Sequence, residues 1–271
     1  MYSLEAITLD RAAAMCPALV QSPHSSRSDK YEHIPTIDVL RAIDREGFAV
    51  HGIACANTRD ETRRGYTKHM LRLRRAGDLR KVGDIAPEVV LVNSHDGSCA
   101  YRMDLGMVRL VCKNGMVAGG KAWQTVSVPH KGADTIGKVI EGTYSIVDGF
   151  PKLIEAADTM RAITLNRDEQ HAFASAALTL RYPEAGKGVA VQPERILRAQ
   201  RREDVDTDLW TTFNRVQEHL IRGGARGLAV GSDGRPRRAT VRAVNSIDGN
   251  VSLNKALWQL SEEMARLKSA A

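Results

Sequence analysis

Residues 93–119 read "NSHDGSCAYRMDLGMVRLVCKNGMVAG", and this stretch decides the fold class. It contains an Asp-Gly and an Asn-Gly dipeptide, which are strong tight-turn signals. Between them, two segments separated by Gly106 alternate as strands do, and Gly106 is expected to be a bulge or a second turn. The stretch therefore predicts antiparallel strands joined by tight turns. On this interpretation His95 and Asp96 mainly support a turn.

The flanking sequence continues the strand pattern on both sides. Strand-like segments lie at residues 48–58 and 66–75 before the stretch, at residues 88–95 overlapping its start, and at residues 122–130 after it. The gaps between these segments are short and polar or contain glycine, as hairpin connections require. We therefore expect an antiparallel meander of about five strands.

Helical periodicity takes over beyond residue 134. The apolar spacing there predicts a long helix that Pro151 must kink or divide, because proline removes a helix hydrogen bond. A short helix is expected before the meander, and three more are expected after the long helix, at residues 37–45, 167–181, 206–222 and 252–268.

This order of elements predicts the α+β class, because strands come first and helices follow. We expect a core domain over residues 1–165, with the long helix packed on one sheet face and the other face free. Residues 166–271 are expected to form a mainly helical region.

Composition excludes several classes of protein. The chain has 271 residues, of which 43% are apolar and 26% charged, as in ordinary globular proteins. It has no apolar run near the roughly 18 residues of a membrane span, and no signal-peptide pattern at its start, so a cytoplasmic protein without a membrane partner is expected. Four cysteines, Cys16, Cys55, Cys99 and Cys112, lie far apart without a C-x-x-C pair. We expect all four to be reduced and mostly buried.

The chain carries a formal charge of +7, and part of this excess lies in residues 59–81. That segment holds nine Lys or Arg against three acids. Strand periodicity places Lys68, Arg72 and Arg74 on one face, which would offer its cations to phosphates. The alternative is a solvated edge strand that these charges protect from pairing.

A second basic cluster occupies residues 221–242, with six arginines, five glycines and one acid. Its glycines predict a mobile loop or hairpin, of the kind that adapts to the irregular backbone of single-stranded nucleic acid. The alternative is a flexible surface loop with incidental charge.

Motifs for catalysis are missing from the sequence. The eight histidines show no metal-binding spacing, and there is no P-loop, G-x-S-x-G or strand-bound G-x-G-x-x-G motif. His51, His69, His95 and His130 fall on four different predicted strands, so a metal site built on His69, His95, Asp96 and His130 stays as an alternative. We assign no catalytic residue, cofactor or metal.

Several segments carry a resemblance to a known family. They are "YEHIPT" (31–36), "KHMLRLR" (68–74), the opening stretch and "LWTTFNRVQEHLIRGG" (209–224). They resemble a family found in prophages, phages and plasmids, catalogued as domain of unknown function number 932. The resemblance implies a mobile-element setting and supplies no chemistry. The layout also resembles phage annealing proteins of the RecT and Red-beta kind, by analogy of fold alone.

The favoured hypothesis is a single-stranded DNA-binding or strand-annealing protein that acts in recombination or replication. It would bind by electrostatic contacts to the backbone and assemble as a homo-oligomer, a ring or a filament. Candidate phosphate-binding residues are Arg63, Arg64, Lys68, Arg72, Arg74, Arg235, Arg237 and Arg238, and candidate stacking rings are Tyr66 and Tyr101. The alternatives are a counter-defence interaction protein without catalysis and a metal-dependent enzyme acting on nucleic acid.

Overall fold

The computed structural model describes residues 2–22, 34–63, 65–75, 85–131, 134–182, 190–230 and 235–270. The chain divides into two compact units, Met1–Pro151 and Lys152–Ala271. This division falls earlier than the boundary expected after residue 165. The first unit contains the large sheet and the second is mainly helical, so the predicted α+β class with a helical C-terminal half is confirmed.

The first unit is built on a curled antiparallel sheet in the order β1-β2-β3-β4-β5-β6, with β7 also paired to β5. The strands are β1 (Tyr2–Ile7), β2 (Phe48–Cys55), β3 (His69–Arg75), β4 (Ile85–Asn93), β5 (Tyr101–Arg109), β6 (Asn114–Val117) and β7 (Thr125–Val128). From β2 to β6 each strand pairs with the next one along the chain, as a meander requires.

Gly106 lies within β5, where it pairs with Glu88 on one side and Val117 on the other. The predicted bulge or turn at this position is therefore wrong. A Cβ atom here would press against Val90 and the Met116 carbonyl, so glycine allows the neighbouring strands to approach closely.

Helices α1 (Leu9–Met15), α2 (Thr36–Arg45) and α3 (Thr135–Val147) belong to the first unit, and α4 (Phe150–Ala162) begins at its end. Pro151 divides the predicted long helix as expected, because it sits in the first turn of α4, where a missing N–H costs nothing. Helix α3 packs on the sheet at Gly142, where an added Cβ would collide with the Met103 side chain. One sheet face is thus covered by helix, as predicted.

The opposite sheet face is also buried, so the expectation of a free face is wrong. Every residue of β4 is buried, and so are all residues of β3 except its last. Strand β6 contacts this face of the sheet. Its Met116 carbonyl accepts a hydrogen bond from the Arg72 guanidinium at 3.2 Å. A Cβ on Gly115 would collide with the same guanidinium, so glycine at this position makes room for Arg72.

Cys16 and Cys55 form a disulfide, and the expectation of four reduced cysteines is wrong for this pair. Cys16 caps α1, Cys55 ends β2, and 39 residues of sequence separate them. Helix α1 packs against β2, which brings the two Cα atoms within 6.1 Å. Cys112 is a buried free thiol and Cys99 is a half-buried one.

The second unit contains α5 (Arg167–Arg181), α6 (Pro193–Ile196), α7 (Leu209–Arg222), α8 (Ile247–Ser269) and a hairpin of β8 (Arg226–Val230) with β9 (Pro236–Thr240). Its core contains packed aromatic rings. Phe213 and Trp258 form a T-shaped pair with 5.9 Å between ring centroids, and Trp210 lies 5.7 Å from Phe213. Among the described helices of the chain, none has both the length and the apolar character that crossing a membrane demands.

Candidate functional site

The predicted basic face of β3 is an internal ion cluster. Arg72 and Arg74 are 4% and 3% exposed, and Glu88 is fully buried. The carboxylate of Glu88 accepts hydrogen bonds from Arg72 at 3.1 Å and from Arg74 at 2.8 Å. Assigning these two arginines to phosphate binding is therefore wrong, because both guanidinium groups are enclosed and paired inside the sheet.

Other basic residues of the segment 59–81 also contact neighbouring side chains. Arg63 lies 3.4 Å from the Asp60 carboxylate, and Arg75 stacks over the Phe48 and Tyr144 rings. Tyr66 and Lys68 are half-buried, and Arg64 lies outside the described residues.

The prediction that the Tyr101 ring stacks on bases is wrong. Tyr101 is fully buried, and its hydroxyl donates a hydrogen bond to the Ile34 carbonyl at 2.8 Å.

A buried polar cluster, which we call the histidine network, lies at one end of the sheet. It consists of Thr36, His69, Asn93, His95 and His130. Strand β3 begins at His69 and β4 ends at Asn93, and the two residues are register partners. Because adjacent strands are antiparallel, the start of one lies beside the end of the next. Helix α2 adds Thr36 through its first residue.

The Thr36 hydroxyl is the centre of this network. It lies 2.8 Å from His69 Nε2, 3.1 Å from His95 Nε2 and 3.0 Å from Asn93 Nδ2, which donates to it. Asn93 Oδ1 lies 2.7 Å from His130 Nε2. All of these side chains are fully buried except that of His130, which is 9% exposed.

Donor and acceptor capacities assign the protons in the network. The Thr67 carbonyl, 3.1 Å from His69 Nδ1, can only accept, so His69 Nδ1 carries the proton. Neutral His69 then accepts the Thr36 hydroxyl proton at Nε2, and His95 must donate its Nε2–H to the Thr36 oxygen. His130 donates from Nε2, because Asn93 Oδ1 is an acceptor. The hydrogen bonds thus run in one direction from His130 to Thr67.

This arrangement is suited to holding structure. A hydroxyl 2.8 Å from an imidazole has the spacing of a nucleophile and its base. However, the Thr36 oxygen donates one hydrogen bond and accepts two, which leaves it no lone pair for attack. Burial, followed by the neighbouring His130, lowers the pKa of His69 to about 4, so this imidazole is a weak base. The positive end of the α2 dipole also disfavours an imidazolium there.

Asp96 has the turn role predicted for it. Its carboxylate accepts the Ser98 backbone N–H at 2.9 Å, and Gly97 takes the left-handed conformation with φ of 77°. Burial opposes ionisation of Asp96, but hydrogen bonds from Ser98 and Ser94 outweigh it, so its pKa lies below the usual value. The prediction that His95 also supports the turn is wrong, because its side chain belongs to the histidine network.

The network makes the protein sensitive to acid. An unfolded histidine binds a proton near pH 6.5, whereas folded His69 binds one only near pH 4. The contribution of His69 to the free energy of unfolding is therefore at its maximum above about pH 6.5, and it is lost as the pH falls towards 4. Buried His51, whose pKa is lowered by burial and by Arg74, adds to the loss. We expect the free energy of unfolding to fall by about 2 kcal/mol between pH 7 and pH 5.

Urea unfolding at the two pH values measures this loss. Most carboxylates stay ionised at pH 5, so their titration contributes little to the difference. Replacing the exposed His171 by Gln is the control and should change the loss by less than about 0.5 kcal/mol, because its contact with Glu194 is exposed to solvent. Equal stability at pH 7 and pH 5 would contradict the assignment of buried neutral histidines.

Metal ligation finds no support in the described ranges, where no group of three or more His, Cys, Asp or Glu residues is arranged to hold an ion. His69 and His95 both direct Nε2 at the Thr36 hydroxyl. The metal-dependent alternative from the sequence therefore has no geometric basis in this part of the chain.

The second basic cluster forms a hairpin with arginines on its surface. In the register of β8 and β9, Arg226 pairs with Thr240 and Leu228 pairs with Arg238. Cross-strand partners and alternate residues project from the same face, so these four side chains share one face of the hairpin. Arg237 pairs with Ala229 and has the opposite parity. Arg235, which precedes β9, is exposed.

This face of the hairpin lines a concave site of about 710 Å³, which we call the arginine pocket. Its lining consists of Ala190, Gln192, Arg195, Arg226, Gly227, Leu228, Arg238, Ala239 and Thr240. Arg195 comes from α6, and Ala190 bridges to Leu228 through backbone hydrogen bonds of 2.6 and 3.0 Å. Of the three arginines predicted here, only Arg238 lines the pocket.

Arg195, Arg226 and Leu228 were missed as site residues by sequence reasoning. Arg226 and Leu228 lie within the second basic cluster, and strand alternation with Arg238 is the signal that could have identified them. Arg195 lies outside that cluster and has no comparable signal.

The fold and these features define an α+β protein with a buried histidine network in its first unit and an arginine pocket in its second. The chain belongs to the DUF932 family, described as a domain of unknown function, whose model matches residues 23–258. It is similar to two proteins of Escherichia coli (strain K12), UPF0380 protein YfjQ and UPF0380 protein YafZ. Each is 43% identical over 244 residues, which cover 90% of this chain and 86% of the relative. A search of solved structures found no significant match.

Proposed function

We propose that the protein binds single-stranded nucleic acid through the arginine pocket of the second unit. One observation supports this most strongly. Arg195, Arg226 and Arg238 are exposed and line one concave site. Within the described parts of the chain, these three guanidinium groups form no ion pair with a carboxylate, in contrast to Arg72 and Arg74. Exposed arginines without acidic partners attract phosphate, which a planar guanidinium binds with two parallel hydrogen bonds.

The charge of the whole chain favours the same partner. A formal charge of +7 raises the local concentration of a polyanion around the protein. Because the cations are displayed on a surface, binding should depend mainly on phosphates and show little sequence preference. Strand annealing in recombination or replication, assembly as a homo-oligomer and a cytoplasmic location belong to this proposal.

The proposal is tested by the salt dependence of binding to a single-stranded DNA oligonucleotide. Replacing Arg195, Arg226 and Arg238 together by Gln should weaken binding and flatten the plot of log affinity against log salt by about 2 units. This change follows from a slope of roughly 0.7 per phosphate neutralised on a single strand. Fluorescence anisotropy over a salt series measures both quantities.

Arg266→Gln is the matched control, since Arg266 is an exposed arginine of the same unit that already pairs with Glu263 at 2.9 Å. It should bind nearly as the parent does. Equal slopes for the parent and the triple variant would contradict the assignment of the arginine pocket. A parent protein that does not bind would refute nucleic-acid binding altogether and favour an interaction protein.

A further inference from the structure

We infer that the arginine pocket encloses one nucleoside phosphate unit, with its base against Leu228 and its phosphate between the arginines. This inference rests on the proposed function and names the ligand of the same site. The unit is either one nucleotide within a single strand or a free nucleotide, because both present the same base, sugar and phosphate.

The size of the pocket suits such a ligand. Its volume of about 710 Å³ lies within the range of about 300 to 1,000 Å³ that is usual for small-molecule sites. A pocket that held only phosphate oxygens would need no concavity of this size, since exposed arginines on a flat surface would serve.

An apolar patch lies between the cations. Leu228 is 51% exposed, although it sits in the middle of β8 and has both hairpin and Ala190 backbone contacts. Arg226 precedes it by two residues on the same strand face, and Arg238 lies directly across from it. An exposed leucine with an arginine on each side offers an aliphatic contact for a base, and the same pocket holds the cations for its phosphate.

Uncharged polar groups complete the lining. Thr240 supplies a hydroxyl opposite Arg226, and Gln192 supplies an amide with both donor and acceptor atoms. These groups can hydrogen-bond a sugar or a base edge and can rotate to suit different bases. Small-molecule sites in general combine apolar contacts with a few polar groups, and the arginines add the charge that a phosphate requires.

This geometry predicts selectivity for single strands. A base can reach Leu228 only when it is unstacked from its neighbours, and the bases of a duplex are held inside the helix. Contact with the base is apolar and therefore should not alter the salt slope, whereas loss of an arginine should.

The test uses Leu228→Ser in the full-length protein, with Leu267→Ser as the matched control. Both leucines are more than half exposed, at 51% and 56%, so neither change removes core packing. We expect Leu228→Ser to weaken binding of a single-stranded oligonucleotide about tenfold with an unchanged salt slope. Leu267→Ser should bind as the parent does.

Competition separates the possible sources of the unit. Adenosine monophosphate that displaces the oligonucleotide from the parent, but less well from Leu228→Ser, identifies a free-nucleotide site. A Leu228-dependent oligonucleotide affinity without such displacement identifies a nucleotide within a strand.

Two results overturn the inference. One is full oligonucleotide affinity in Leu228→Ser, together with competition by inorganic phosphate as strong as that by the nucleotide. This result leaves the proposed function in place, because arginine-dependent binding would persist. The other is a parent that binds neither ligand, which overturns the inference and the proposed function together. A parent that binds the nucleotide in a Leu228-dependent way but no oligonucleotide refutes only the proposed function.

Discussion

Replacing Glu88 by Gln is expected to lower the free energy of unfolding by about 3 kcal/mol or more. Glu88 is fully buried and its carboxylate is hydrogen-bonded to both Arg72 and Arg74. The amide keeps the size of the side chain but removes the negative charge, so two enclosed cations lose the partner that offsets their desolvation. Urea unfolding at pH 7 measures the loss.

Glu5→Gln serves as the control, because Glu5 is exposed on β1 and its loss should change stability by less than about 0.5 kcal/mol. A second variant tests the cause. Changing Glu88, Arg72 and Arg74 together to Leu, Met and Met should recover much of the lost stability, since a buried ion cluster can be replaced by apolar residues. A Glu88→Gln protein as stable as the parent would show that the arginines are not enclosed.

Replacing Thr36 by Val is expected to have an effect of similar size. Valine matches the shape of threonine but leaves His69 Nε2, His95 Nε2–H and Asn93 Nδ2 without the oxygen that they share. Each buried polar atom left unsatisfied costs about 1 to 3 kcal/mol, so the free energy of unfolding should fall by about 3 kcal/mol or more.

Two further substitutions make this result specific. Thr36→Ser keeps the hydroxyl and should lose much less stability than Thr36→Val. Thr179→Val removes an exposed hydroxyl that donates to the Ser175 carbonyl of its own helix, and it should be close to neutral. If Thr36→Val and Thr36→Ser unfold at the same urea concentration, the hydroxyl is not the centre of the network.

Local periodicity was enough to predict most elements of the fold. Helix α5 has the predicted bounds of 167 and 181, and the alternating segments correspond to β2 to β5 and to β7. The turn predicted at Asn114-Gly115 is wrong, because β6 begins with these two residues. Strand β1 was not predicted, and helix α1 lies mainly in residues 10–33, where the sequence pattern indicates a capping segment and a polar loop. The disulfide was missed because Cys16 and Cys55 lie 39 residues apart, and no sequence motif pairs them.

The error about the basic face has a different cause. Alternation in β3 correctly places Arg72 and Arg74 on one face, but it cannot show what faces them. Their burial depends in part on the Glu88 carboxylate of the neighbouring strand, and on Gly115, which leaves room for the Arg72 guanidinium. Strand register and sheet curling determine both contacts, and neither can be read from one strand alone.

The sequence also places histidines on different strands, and three of them, His69, His95 and His130, lie side by side in the structure. The predicted cluster did not include Thr36 and Asn93, which lack a charge or a metal-binding pattern and so have no local signal. Yet these two residues connect the imidazoles through hydrogen bonds. The arginine pocket was found only in part, because Arg195 is brought to the hairpin by tertiary structure.

Photo-cross-linking tests the central claim most directly, because it locates the bound strand on the protein. A single-stranded oligonucleotide with photoreactive bases would be cross-linked to the full-length protein, and the modified peptides identified by mass spectrometry. The account predicts cross-links around the arginine pocket, in residues 190–195 and 226–240, and their loss in the Arg195, Arg226 and Arg238 triple variant. Cross-links centred on residues 59–75, and kept in that variant, would contradict it.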